Sequence, residues 1–180
     1  MRTKLLLFLA SLFVFGGCDK IKDATTISVP AHLQTDIPVI VTAVGIKSVD
    51  LIALGSAITF SKTQDLSLND NVDIAPYLSR IKSINLNSVI ITITGLSAGQ
   101  TINTISLDVA GVGNIFTKTN ITSANNSFTA PIAAGILDQL AAKLTADKKI
   151  SITVSGGASG TMAFNVGLNI DATVTAYTIQ

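Results

Sequence analysis

Glutamate is absent from this 180-residue chain, and so is tryptophan. There is one cysteine, one histidine and two tyrosines. Each shortage removes a class of chemistry. Without glutamate, a paired-carboxylate glycosidase site would need two of the eleven aspartates, and no spacing among them picks out a pair. An aromatic content of 5% disfavours a sugar platform of stacked rings. The single histidine, His32, lies in Val29-Pro30-Ala31-His32-Leu33-Gln34, with no acid or thiol beside it. It is read as a surface or edge-strand residue, because a triad or imidazole metal cluster would need more than it offers. One cysteine allows no internal disulfide. Charged residues make up only 13%, and no basic patch stands out, so nucleic acid is not an expected partner.

What the chain does carry begins at its N-terminus. Arg2 and Lys4 precede an uncharged apolar run from Leu5 to Phe15. At a helical rise of 1.5 Å per residue this run reaches about 16 Å, half of a bilayer's hydrocarbon core. It has the length and flanks of a signal-peptide core. The run ends in Phe15-Gly16-Gly17-Cys18. Small residues before a lone cysteine resemble the lipobox of bacterial type II signal peptide lipoproteins, with Phe15 where leucine is usual. The resemblance implies that residues 1–17 are removed. It also implies that Cys18 carries a diacylglyceryl group and a fatty acyl chain such as palmitate, as the first residue of the mature protein. Lipidation accounts for an unpaired thiol in an exported protein, which an ordinary secretory signal would leave unexplained. Two or three acyl chains anchor stably where one does not.

Residues 18–25 read as a lipidated tether, Asp19-Lys20-Ile21-Lys22-Asp23 being its charged part. An Asp after the lipid-bearing cysteine resembles an enterobacterial inner-membrane retention signal, whereas a charged stretch there resembles a Bacteroidota surface-export signal. The Ile/Asn/Lys/Ser/Thr-rich chain resembles the uncharacterised Bacteroidota cell-envelope lipoproteins. That resemblance implies a lipid anchor in the cell envelope, with the outer membrane expected and the face left open. Without Arg2 and Lys4, ten basic residues stand against eleven acidic ones, a net charge of −1.

Residues 26–180 are read as one mainly β domain, an antiparallel β-sandwich with two short amphipathic helices. Ile, Val and Thr dominate, and branched side chains suit a pleated surface. Met162 to Tyr177 alternates apolar and polar with period two, and Gly167 is where a bend or bulge is expected. Lys149–Val154 is a second alternating strand. The Gly-rich stretch Ser155–Gly160 between them predicts a hairpin. It leads into a strand and lacks the phosphate-loop lysine, so no nucleotide site is expected. Val89–Thr94 and Thr104–Val109 predict another hairpin around Gly95–Gln100. Further strands are expected at Thr26–Val29, Pro38–Val44, Ala57–Lys62 and Ile115–Thr122, the last at an edge.

One helix is expected over Asp73–Lys82, from Ile74, Leu78 and Ile81, capped by Asp70 or Asp73. The other is expected over Pro131–Asp147, striped by Ile132, Ile136, Leu140 and Leu144 and capped by Thr129. Asp65–Asp73 concentrates oxygen ligands but lacks the EF-hand glycine, and Pro76 occupies the twelfth position. It is read as a polar loop rather than a calcium site. Asn120-Ile121-Thr122 and Asn125-Asn126-Ser127 match a glycosylation pattern and are read as loop chemistry. Neither a Gly-x-Ser-x-Gly elbow nor a Ser-x-x-Lys motif is expected in the chain, and no catalytic residue, cofactor or metal is assigned. The expected site is the lipidation site Cys18, with the membrane as partner. The expected role is a noncatalytic binding, adhesion or structural domain. The alternative is a carrier holding an apolar ligand or lipid between sheet and helices.

Overall fold

The computed structural model describes residues 25–42 and 57–178. The expected signal peptide, Cys18 and most of the tether lie outside the described residues, as does the Pro38–Val44 strand beyond residue 42. Eight strands are described: β1 (Thr26–Val41), β2 (Ile58–Ser67), β3 (Ile81–Thr94), β4 (Ile102–Val109), β5 (Gly113–Ile121), β6 (Ser127–Thr129), β7 (Lys149–Ala158) and β8 (Met162–Tyr177). They form two antiparallel sheets, ordered β1-β8-β3-β6 and β2-β7-β4-β5. Eight strands in this order make a jelly roll, a double-sheet sandwich in which the chain passes repeatedly from one sheet to the other. The expected mainly β sandwich is therefore found.

Alternation sets the core. In β8 every even residue from Met162 to Ala176 is buried, so a single register holds for all sixteen residues. Odd residues beyond Asn165 are half-buried rather than exposed. The expected break at Gly167 is not found: the β1–β8 register runs through it unshifted. A Cβ there would sit 3.1 Å from Asp36 Oδ1, so the glycine lets the Asp36 side chain approach the outer face of β8. The bulge falls instead on β3, where Leu86 pairs with Ala172 and Ser88 with Asp171, leaving Asn87 over. The buried set switches there from Ile84 and Leu86 to Val89, Ile91 and Ile93.

Both expected hairpins are corrected. β3 and β4 lie in opposite sheets, as do β7 and β8. Period-two patterning states which face is buried, not which strand is the neighbour. The Gly-rich stretch is not a turn throughout, because β7 continues to Ala158. A Cβ on Gly156 would lie 2.0 Å from the Thr104 carbonyl oxygen and 2.8 Å from Phe60 Cζ. Gly156 thus gives the Phe60 ring and the β4 backbone room beneath them. Phe60 in turn meets Phe164 edge-to-face at 5.3 Å, joining the two sheets.

The expected strands at Thr26–Val29 and Pro38–Val44 belong to one strand, β1. Pro30 and Pro38 do not break it because β1 is an edge. The His32 carbonyl accepts a bond from Asn71 Nδ2 and so points away from β8. Pro30 and Pro38 share its parity, and their missing N–H groups fall on the free side.

The first expected helix is a 3-10 helix, Ala75–Arg80, and residues 81–82 already belong to β3. Neither Asp70 nor Asp73 caps it. Asn71 Oδ1 accepts from the Asp73 and Ile74 N–H groups instead. The second, α1 (Ala134–Asp147), begins three residues later than expected, with Ala133 as N-cap and no side-chain cap. Thr129 lies in β6. Leu140, Ala141 and Leu144 are buried, and Ile132, Ile136 and Leu137 pack on the core. Helix α1 packs on β3 of one sheet and β7 of the other, closing the sandwich beside the very short β6.

Candidate functional site

His32, Asp171 and Ser88 come together on the outer face of the β1-β8-β3 sheet. They lie on three adjacent strands: His32 pairs with Asp171, and Asp171 with Ser88. His32 Nδ1 is 2.6 Å from Asp171 Oδ1. Ser88 Oγ donates to Asp171 Oδ2 at 2.9 Å. The Ser88 hydroxyl and then His32 hold the Asp171 carboxyl below the usual carboxylate range. These are the residue types of a nucleophilic triad, wired in a different order. The carboxylate sits in the middle and takes the serine proton's bond itself. The histidine is bonded to aspartate, not to serine, so this arrangement does not make Ser88 a nucleophile. The sequence reading missed the partners of His32 because Asp171 lies 139 residues away along the chain.

Beside this cluster, the edge between the two sheets opens into a groove of about 330 Å³, lined by His32, Gln34, Leu33, Leu66 and the Asp70–Asp73 segment. Leu33 and Leu66 are buried and form its floor. The acidic stretch Asp65–Asp73 is divided in use. Asn71 ties the loop to β1 and caps the following turn. Asp65 bonds Ser151 and faces Lys149 at 3.6 Å, and these hold its carboxyl below the usual range. No cluster of three metal-ligating side chains occurs among the described residues.

Two serine spacings correct the expectation that neither nucleophile motif occurs. Gly95-Leu96-Ser97-Ala98-Gly99 has the Gly-x-Ser-x-Gly spacing. It forms the β3–β4 loop, where Ser97 N–H donates to Gln100 Oε1. A nucleophile elbow joins a strand to a helix, and this loop joins two strands. It also lies at the opposite end of β8 from Asp171, about 20 Å along the strand. Ser79-Arg80-Ile81-Lys82 has the Ser-x-x-Lys spacing. It straddles the end of the 3-10 helix and the start of β3, and the Lys82 ammonium lies 5.7 Å above the Tyr177 ring. At the glycosylation-like segments, Asn125 Oδ1 accepts from Thr122 N and Oγ1, closing the β5–β6 loop.

The remaining outer surface is rich in hydroxyls. Across the second sheet, Ser61, Ser155, Ser106 and Thr117 stand in one row by register. The β2 edge carries Lys62 and Gln64 at core-side parity, both exposed, between buried Phe60 and Leu66. An inward charge on one edge strand and two prolines on the other discourage strand addition from outside.

No known family and no curated protein matches the chain. Among solved structures, the capsid protein of BFDV is similar in its decameric form, with TM-score 0.40, 9% identity, and 83% of this chain and 99% of that one covered. Its 60-mer form gives TM-score 0.39 and 10% identity, covering 86% and 96%. A protein of Desmodium yellow mottle tymovirus gives TM-score 0.33 and 9% identity, covering 84% and 91%. The jelly-roll assignment rests on the strand order, not on these similarities.

Proposed function

We propose that the chain is a cell-envelope lipoprotein held by an acylated Cys18, and that its jelly roll is a noncatalytic binding, adhesion or structural module. The observation that carries the reading is Phe15-Gly16-Gly17-Cys18 behind a charged start and a short apolar run, in a chain with no other thiol. The outer membrane is the proposed home. From Cys18 to Thr26, where β1 begins, the tether spans about 27 Å at full extension.

Two further points support the module. The Asp171-centred cluster leaves its histidine bonded to a carboxylate rather than to a nucleophile. Leu140, Ala141 and Leu144 fill the space beneath α1 where a carrier would hold its ligand. Both sheets turn hydroxyl and amide side chains outward, which suits polar contact with a partner.

Cys18→Ser tests the anchor. Serine lacks the thiol that receives the lipid, so the variant is expected to accumulate as an unprocessed precursor without acyl chains. Normal processing of the variant would end the reading. An organic extract of the purified wild-type protein distinguishes module from carrier: no stoichiometric lipid beyond the anchor is expected, and a bound lipid would favour the carrier.

A further inference from the structure

We propose that the end of the sandwich at which the chain arrives from Cys18 docks on the phosphate-bearing headgroups of the bilayer that holds the anchor. The inference rests on the lipid-anchor reading above and adds an orientation and a contact surface to it. Both tyrosines of the chain lie at this end. Arg80 stacks over the Tyr77 ring, 5.5 Å from its centre, and Lys82 over Tyr177 at 5.7 Å. Arg80 Nη1 donates to the Thr178 carbonyl at 3.0 Å, and Thr178 N–H donates to the Thr25 carbonyl at 2.7 Å. Thr26 pairs with Tyr177. The two cation–tyrosine pairs thus surround the point where the tether leaves the domain.

Local structure presents them there. Ile81 pairs with Ala176 and Ser83 with Thr175, so Lys82 is the extra residue of a bulge and is exposed. Arg80 closes the 3-10 helix. It is the one arginine left once residues 1–17 are removed.

The chemistry fits a headgroup layer. Tyrosine offers an apolar ring with a polar tip, and arginine and lysine bind phosphate while laying their stems along apolar surface. In the fold, exposed Asp70 and Asp73 precede the 3-10 helix and Asp108 lies near the end of β4, while Asp65 and Asp147 at this end are engaged by Lys149 and Lys143. Chain length brings the surfaces together. A short tether holds the domain at millimolar effective concentration over the bilayer, so a weak contact suffices.

The test is hydroxyl-radical footprinting of the full acylated protein, in detergent and in vesicles containing phosphatidylglycerol. Tyr77 and Tyr177 are expected to oxidise severalfold more slowly on vesicles, while His32 and Leu96 react alike in both. Removing positive charge by Arg80→Gln with Lys82→Gln should weaken docking about fivefold per cation and restore oxidation. High salt on the wild-type protein should restore it too, with no risk to folding. Acylated, vesicle-bound protein whose tyrosines oxidise as fast as in detergent would overturn the docking and leave the anchor reading standing. Protein with no acyl chain on Cys18 would overturn both.

Discussion

Leu168 and Asn165 are three residues apart in β8 and stand on opposite faces. Leu168 is buried in the core and Asn165 is exposed. Leu168→Asp puts an unpaired carboxylate among branched side chains and should cost several kcal/mol, on the order of a small domain's whole margin. Asn165→Asp should stay within about 0.5 kcal/mol. Denaturant melts of the two variants check this, and equal losses would refute the register. The half-buried Asn169, next but one along that face, behaves differently from a plain surface residue. Its Oδ1 is buried with no hydrogen-bond partner, so an added charge there is not expected to be silent. The His32–Asp171–Ser88 contact makes a prediction in pH. Asp171 is held below its ordinary value in the fold, so its contribution to stability is present above the unfolded pKa, near about 4. That contribution is lost as pH falls through the lower folded value. Asp171→Asn should flatten this part of the acid limb in melts taken from pH 6 downward, in about half-unit steps. An unchanged limb would show that the contact adds nothing.

Among the elements, β8 and α1 were readable from periodicity alone, because one clean stripe faces one core. The β1, β3 and β7 strands were read short for a physical reason. Pro30 and Pro38 look like breakers until an edge absorbs them, and the bulge at Asn87 reverses the parity of β3 midway. Sheet partners were not readable, since a turn-rich stretch joins strands across a sandwich as readily as within a sheet. Gly156 is the sharpest case. Its composition suggests a loop, yet its role is to let Thr104 and Phe60 approach the strand. Gly156→Ala should therefore destabilise by about 1–3 kcal/mol, since backbone must shift to admit the methyl group. Gly160→Ala, with open space at the Cβ position, should cost much less. Thermal melts of both distinguish a packed strand from a loop, for which the two losses would be alike. The candidate site was legible only in part. His32 was recognisable as an edge-strand residue, but Asp171 and Ser88 reach it through strand pairing, which no local pattern records.

In the proposed reading, the whole molecule joins a lipidation signal to a jelly roll through a short tether. The tether meets the fold at the end that carries Tyr77, Arg80, Lys82 and Tyr177, and the β3–β4, β5–β6 and β7–β8 loops occupy the other end. With strands of sixteen residues, those loops stand about 50 Å from the end at which β1 begins. A partner would then meet the uncharged loops Gly95–Thr101 and Thr122–Asn126 first. All of this depends on Cys18. Intact-mass analysis of the wild-type protein from membranes tests it most directly. The account predicts a mature chain that starts at Cys18 and carries a diacylglyceryl group, usually with a further acyl chain on its amine. A mature chain that starts elsewhere, or starts at Cys18 without acyl mass, would contradict it.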